Sequence, residues 1–399
     1  MPRVLEFNSI ADLNPYRADW SRLLRQTPGG TFFQSFDWLE VYWRHFTADQ
    51  QLRVMVVLEN DSVSGIVPVA VRKIKTKFGS CRILTYPFDD WGSFYGPISP
   101  NPAATLTATL EHVQQTECDW DLIDLRWVDA DGQDNGRTEH ALTSAGLAFQ
   151  TFAWEQTALI DLTADSWDDY LQSRSGKARQ TYRRAEKRIA AEGDIQYVRY
   201  RPAGEAAGEG DPRWDLYDHC VAIAERSWQG SSTDGTTLSH AEVRDFLRDC
   251  HAAAARCGSL DLNLIYLSGQ PAAFAYNYCY RGWVYSLRLG FDPGVSNKGL
   301  GRLVMGRMIR DSFDLGDQQI DMGIGTLDCK TYWLTSLAKS YRYVYYAPNS
   351  PRAQLMRLSN QVSGWFEDRF ERSGFEESST SDPARDTRRV DGTENSIHT

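Results

Sequence analysis

In this chain of 399 residues, the passage with the clearest chemical reading is Asn297-Lys298-Gly299-Leu300-Gly301-Arg302. It follows a run that reads as a strand. It leads into Leu303, Val304, Met308, Ile309 and Phe313 at helical spacing. Glycines let the backbone turn sharply there and approach a ligand closely. A helix N-terminus adds free N–H groups and a partial positive charge, which suits a pyrophosphate. The competing reading is a glycine-rich turn that starts a helix and binds nothing. The passage lacks the G-K-[ST] ending of a Walker loop. Hairpins precede it rather than a βαβ unit, which argues against a dinucleotide fingerprint.

A second cluster is basic: Arg174, Lys177, Arg179, Arg183, Arg184, Lys187 and Arg188. On a helix, Arg179, Arg183 and Lys187 lie one above another, with Arg184 and Arg188 alongside. Like charges at that spacing repel, so something must compensate. Either the face is solvated and paired with Asp168, Asp169 and Glu186, or it binds an anion through residues such as Lys177, Arg179 and Arg183. That anion could be a phosphate group, an anionic glycan or lipid head group, or tRNA. The seven histidines show neither H-x-E nor H-E-x-x-H spacing, and no metal site is expected.

The elements that would position these residues follow from periodicity. Residues 32–46 carry apolar side chains at helical spacing. Two β-branched runs, LRVMVVLE and GIVPVAVRK, flank Asn60-Asp61-Ser62 and predict a hairpin. A strand is expected at 120–127 and one long basic helix at 166–192. Residues 202–212 read as a loop and 213–228 as a helix. Ser239 and Glu242 have the spacing of a capping box for a helix that ends at Gly258. A meander follows at 260–267, 272–280 and 283–291, turning at Ser268-Gly269 and Arg281-Gly282. The helix after the glycine turn stops at Gly316. Strands are expected at 319–324 and 338–347, a terminal helix at 351–374, and a disordered tail at 375–399. Each half holds a helix followed by a hairpin, a weak internal symmetry. The domains are expected at 1–155 and 156–350.

Composition bounds the rest. Net charge is −10, against a general nucleic-acid binder unless the basic residues are concentrated. Hydrophobic content of 42% excludes wholesale disorder. No apolar run is long enough to span a membrane, and the first residues lack a signal-like apolar stretch. Seven cysteines without a C-x-x-C argue against a zinc cage or disulfide framework and for a reducing, cytoplasmic setting. The aromatic content is 12%, with 13 Trp and 19 Tyr. Such rings fill cores, and they also line grooves for extended or sugar-like ligands.

The order meander, G-x-G turn, helix, strand over 260–347 resembles the GNAT acyltransferases. Several passages are similar to the CelD/BcsL group of FemAB-like GNAT proteins, which hold two GNAT-like domains in tandem. They are FFQSFDWLEVYW, VVLENDSVSGIVPVAVRK, the S-x-K-x-R pattern of SRSGKARQTYRRAEKR, ERSWQG, GQPAAFAY, YSLRLGFDPGVSNKGLGRLVMGRMI and DMGIGTLDCKTYW. Together they span about 30–345.

The resemblance implies an α/β (α+β type) fold of two tandem GNAT-like domains, each a mixed, mostly antiparallel sheet flanked by helices. It implies a cytoplasmic acyl-CoA-dependent acyltransferase, acetyl-CoA being the expected donor, with Asn297 to Arg302 on the CoA pyrophosphate. The acceptor would be an amine or hydroxyl, with a link to polysaccharide synthesis and its machinery. Such transfer needs a proton acceptor, a proton donor and N–H groups on the thioester carbonyl. The resemblance puts Asp321, Asp328, Lys330 and Tyr332 at that centre, with Asp328 as base and Tyr332 or Cys329 as acid. Relatives carry Tyr-Lys where this chain has Cys329-Lys330. Tyr285 and Arg288 could face the same cleft, and Trp228 matches the acceptor-side pattern. Two other functions fit the same residues. One is an aminoacyl-tRNA-dependent transferase of FemAB type, and the other a non-catalytic partner of a polysaccharide synthase.

Overall fold

The computed structural model describes residues 2–89, 91–116, 118–232, 237–325 and 327–359. The first half contains β1 (Arg3–Phe7), α1 (Arg17–Gln26), α2 (Phe36–His45), β2 (Gln50–Glu59), β3 (Ser62–Thr76) and β4 (Gly79–Thr85). It continues with α3 (Pro102–Gln115), β5 (Leu122–Val128), α4 (Arg137–Ser144) and β6 (Phe149–Asp161). The second half contains α5 (Trp167–Ser173), α6 (Gly176–Ala190), β7 (Ile195–Tyr200), α7 (Trp214–Arg226), α8 (Arg244–Arg256), β8 (Leu260–Leu267) and β9 (Gln270–Tyr280). Then come β10 (Trp283–Phe291), α9 (Leu300–Asp314), β11 (Gln319–Asp321) and β12 (Ser336–Tyr346). Residues 351–359 are helical, the described part of the expected terminal helix; the rest of it and the expected tail lie outside the described residues.

The strands form one sheet in the order β1-β2-β3-β4-β5-β12-β6-β11-β10-β9-β8-β7. Read inward from either edge, the pattern repeats: four antiparallel strands, then one parallel neighbour. The parallel pairs are β4–β5 and β10–β11, each joined through a helix, α3 or α9. These are two GNAT-like halves. Their central strands are exchanged. β6 pairs with β11 of the second half, and β12 lies between β5 and β6. Thr335 and Ser336 donate to Asp161 Oδ2 at 2.8 and 2.9 Å, locking the end of β6 to β12.

Local chemistry explains most elements. Asn60 and Asp61 both adopt left-handed φ, as do Ser268-Gly269 and Arg281-Gly282, so the three expected hairpin turns form. The expected helix at 166–192 is two helices. Ser166 caps α5, Arg174 is extended, and Ser175 starts α6 by accepting from Ala178 N–H. A second capping serine followed by glycine favours this restart over continuation. The capping box at Ser239 does not form either. Its hydroxyl donates to Gln229 O at 2.9 Å, and α8 begins at Arg244 after one 3₁₀ turn.

The core is continuous across the halves. Phe32 and Phe33, both fully buried, meet Tyr278 and Tyr285 of the second half at ring-centroid separations of 4.7 to 5.9 Å. Outside the core, Arg44 and His45 on α2 reach Asp249 on α8 at 2.9 and 2.8 Å. The two sides of the cleft between the halves are therefore held by packed aromatic rings.

Candidate active site between the halves

β10 and β11 run parallel as far as the pair Tyr285–Asp321, and there β11 ends. In the next residues of β10 the register to β9 slips, so that Ser286 and Arg288 have partners and Leu287 has none. This bulge leaves the backbone of Leu287 outside both ladders. The opening so created widens into a cleft of about 560 Å³. Leu287, Arg288, Met322 and Gly323 line one side. Trp91 and Ser93 come from the first half, Trp154 and Glu155 from β6, and Trp228 from the turn after α7.

Asp321 lies just under the cleft floor and is 2% exposed. Its Oδ1 accepts from Gly323 N–H at 2.6 Å. Gly323 takes φ 71°, which lets the chain fold back over the carboxyl group. Burial pushes the pKa of Asp321 up to about 6, outweighing the lowering influence of the Ser93 hydroxyl, the Gly323 N–H and the Lys330 ammonium. A carboxyl group in that range is deprotonated at neutral pH yet basic enough to accept a proton.

Lys330 is buried, and its Nζ donates to Gly323 O and Ile324 O at 2.7 Å each. Burial lowers its pKa, and the nearby Asp321 opposes that. Lys330 thus holds the 323–324 turn over Asp321. Asp328 is exposed on the turn before it, outside the cleft lining; its backbone carbonyl accepts from Thr331. Tyr332 is half-buried with the Arg302 guanidinium 5.1 Å from its ring centroid. The structure therefore brings Tyr332 to the glycine turn, and Lys330 to Asp321.

The glycine turn is shaped as an open helix start. Gly299 has φ 113° at the N-cap of α9; no side chain caps the helix and no acid occupies its first turn. Leu300 is fully buried and anchors the turn. A Cβ at Gly299 would lie 2.8 Å from Ala185, so α6 packs directly on it; at Gly301 a Cβ would meet only ordinary contacts. Asn297 is exposed, and Lys298 pairs with Glu192 just beyond α6.

The other expected residues separate. Arg288 and Trp228 line the cleft, with the Trp228 indole donating to Leu289 O at 3.2 Å. Tyr285 is 1% exposed and packs in the core against Phe33. Arg179 is used locally: its guanidinium donates to Gln172 O and Arg174 O, closing the end of α5. Lys177, Arg183, Arg184, Lys187 and Arg188 are exposed and make no ion pair among the described residues. Glu186, the nearest expected partner, is taken by Arg307 at 2.6 Å.

Sequence reading missed the first-half contribution, Trp91, Ser93, Trp154 and Glu155, because nothing in their spacing ties them to the second-half residues of the cleft, far along the chain. It grouped Asp321 with the other candidates without singling it out. The signal was present: Asp-Met-Gly is the pattern of a carboxylate accepting from an N–H two residues on.

The fold is of the GNAT type, in two tandem halves. A family model described as an acetyltransferase (GNAT) domain matches residues 176–331, which contain the glycine turn, α9 and Asp321. Among solved structures, FemX is similar over 88% of this chain and 99% of its own, with 13% identity and a TM-score of 0.60. A conserved protein of unknown function from Bacteroides thetaiotaomicron is similar over 82% of this chain and 97% of its own, with 11% identity and a TM-score of 0.50. At such identities the likeness is one of fold. No curated protein matches the chain. Among the described residues no helix is long and apolar enough to cross a membrane, and no group of three or more His, Cys, Asp or Glu could hold a metal ion.

Proposed function

We propose that this protein is an acyl-CoA-dependent acyltransferase whose acceptor is an amine or hydroxyl on a saccharide, as in polysaccharide or cell-envelope synthesis. The observation that carries the reading is the carboxyl group of Asp321, raised to about 6, beneath the opening where β10 and β11 part. The second half, within residues 156–350, holds the donor site, and the first half, within 1–155, supplies the far wall of the cleft.

The residues fit a CoA group. The first turn of α9 has no side-chain cap and no acid; Arg302 N–H already bonds Gly299 O, so the pyrophosphate would take the N–H groups of Leu300 and Gly301. Acyl-CoA would supply an acyl group on a thioester. Leu287, outside the ladder to β9 and lining the opening, would offer its backbone N–H to a developing oxyanion. Asp321 accepts the acceptor's proton through one bridging water, since Met322 and Gly323 cover it. Lys330 keeps that cover in place. Tyr332, beside Arg302, is the proton donor on the CoA side.

Trp91, Trp154 and Trp228 give the cleft three aromatic walls, and Arg288 and Glu155 add opposite charges. Flat apolar faces with a few polar groups suit the two faces of a sugar ring. The test is acetyl transfer from acetyl-CoA to amino sugars by the wild type and by Asp321→Asn, with binding of acetyl-CoA followed separately. Transfer that is lost in the variant while acetyl-CoA still binds supports the reading. Failure of the wild type to bind any acyl-CoA overturns it.

The aminoacyl-tRNA-dependent alternative rests on one observation, the exposed face of Arg183, Arg184, Lys187 and Arg188 without acidic partners among the described residues. That reading requires tRNA binding that weakens steeply with salt. Exchange of these four residues for glutamine would abolish it.

A further inference from the structure

A second large cleft lies where β12 and the residues after it meet the first half, and it shares no lining residue with the one above. Its volume is about 620 Å³, inside the range of roughly 300–1,000 Å³ typical of small-molecule sites. Arg82 of β4, Trp120 just before β5, Tyr345 near the end of β12 and Arg352 beyond it converge there. Tyr345 is four residues along β12 from Tyr341, whose cross-strand partner Ala153 adjoins Trp154. At about 3.3 Å per residue the two clefts are separated by roughly 13 Å along this strand.

The charges in this cleft are unevenly matched. Its carboxylate, Asp121, is already engaged: Oδ2 accepts from Arg82 N–H and Oδ1 from the Ser350 hydroxyl, both at 2.7 Å. The guanidinium of Arg82 is exposed and makes no ion pair among the described residues. Arg352 is exposed as well; it donates to Ser80 O at 2.9 Å and has no carboxylate partner among the described residues. The same cleft has an aromatic wall. The rings of Trp120 and Tyr345 meet edge to face, 6.1 Å between centroids, with Trp120 5% exposed. In a chain of net charge −10, two guanidiniums left for one cleft are the fork donors that a phosphate dianion takes.

We propose that this cleft binds a phosphate monoester carried on a ring, either a sugar phosphate or a nucleoside monophosphate. The phosphate sits between Arg82 and Arg352, and the ring lies against Tyr345 and the edge of Trp120. Nothing in this site depends on the acyltransferase reading.

The test is isothermal titration calorimetry of the full chain with glucose 1-phosphate, uridine monophosphate, inorganic phosphate and glucose. Ligand is raised to about 10 mM, well above a Kd of roughly 1 mM. At least one ester binds, and phosphate or glucose alone binds at least about tenfold more weakly, because each offers half of the contacts. The better of the two esters names the source. The double exchange Arg82→Glu with Arg352→Glu, both on the surface, abolishes binding without lowering the melting temperature. Tyr345→Ala weakens the ester and leaves inorganic phosphate unchanged. Arg288→Ala, in the other cleft, changes nothing. Absence of binding by both esters overturns the proposal, as does equal binding of inorganic phosphate. Binding that survives the arginine exchanges or disappears with Arg288→Ala assigns the ligand elsewhere and overturns it too.

Discussion

The two halves place a buried carboxylate at nearly the same point and treat it in opposite ways. In the second half Asp321 is the last residue of the parallel pair with β10. In the first half Asp124 follows directly on the last parallel pair, Leu84–Ile123. Asp124 is fully buried between two guanidiniums, Arg126 at 2.8 Å and Arg342 at 2.8 and 3.0 Å. Asp321 has one backbone N–H, a hydroxyl and a lysine that is itself occupied, and its pKa rises to about 6. The openings differ as well. Between β4 and α3 the segment 86–101 buries Tyr86, Phe88, Phe94, Tyr95 and Ile98, and the hollow beside Pro102 is about 40 Å³. Asn101 caps α3, and Pro102 has no N–H to offer. Between β10 and α9 the chain crosses in the shorter stretch 292–299 and leaves the cleft open. One topology thus yields a filled, ion-paired half and an open half whose carboxylate is free to titrate.

Exchanging each carboxylate for its amide sharpens this contrast most. Asp321→Asn is expected to lower kcat by about 10²- to 10⁴-fold, the usual worth of a positioned base, with the fold intact. Asp124→Asn is expected to destabilise by about 3–5 kcal/mol, since two guanidiniums lose their partner in a buried site. Those guanidiniums also lie 4.7 and 5.5 Å from the Trp154 ring centroid, so the same variant should raise KM for the acceptor. Steady-state kinetics and chemical denaturation of both variants measure this. A kinetic loss at Asp124 as large as at Asp321 would break the comparison.

The helix starts give the next largest effects. Acetyl-CoA at about 100 times its Kd is expected to stabilise the wild type by about 2.7 kcal/mol. Gly301→Glu, which sets a negative charge on the open turn, abolishes that shift. Asn101→Ala at the matching start of α3 costs about 1 kcal/mol of stability through the lost cap and leaves the ligand shift intact. Thermal melts with and without acetyl-CoA separate the two.

What the sequence made legible divides along the same line. The second half was readable from β8 to α9, because the signals there are local: I′ turns at Ser268-Gly269 and Arg281-Gly282, then a G-x-G turn before an amphipathic helix. The first half hides α3, whose Pro-Ala-Ala-Thr-Leu-Thr-Ala-Thr stretch has little contrast between its faces, and β6, whose outer part is mostly exposed. The exchange of β6 and β12 is a pairing across the whole chain and leaves no local trace. In the site, the turn and Trp228 were visible as residue types in a pattern. The different settings of Asp321 and Asp328 were not, because they are a matter of burial: one is sealed under Gly323 and the other faces water. The bulge at Leu287 is likewise a register slip that no residue type announces.

The pH dependence tests the raised carboxyl group directly. Its folded pKa of about 6 exceeds the ordinary 3.8, so the folded chain holds a proton that the unfolded chain has released between those values. That stabilisation is complete below about 3.8 and is lost as pH rises through about 6, up to about 3 kcal/mol in all. Relative to Asp321→Asn, the wild type should lose stability over this window, while kcat/KM rises through it as the base deprotonates. The rate profile from pH 4 to 8 has to give a midpoint of about 6, and the melting curves have to stop changing relative to Asp321→Asn at the same pH. A rate profile flat across pH 6 would remove Asp321 as the base.

The smallest effect tests whether the filled half tunes the open one. Ser93 belongs to the segment that closes the first half, yet its hydroxyl favours the charged form of Asp321. Its loss in Ser93→Ala leaves the carboxylate with the Gly323 N–H and Lys330 alone. The kcat/KM midpoint should then move upward from about 6 by roughly one unit, since a hydrogen bond to a charged group is worth about 1.5–3 kcal/mol and one unit corresponds to about 1.4 kcal/mol. At pH 8 the rate stays near that of the wild type, because the carboxyl group is ionised in both. An unchanged midpoint would mean that the first half contributes walls to the cleft but no electrostatics. A downward movement would mean that Ser93 favours the protonated form and that burial alone does not set this pKa.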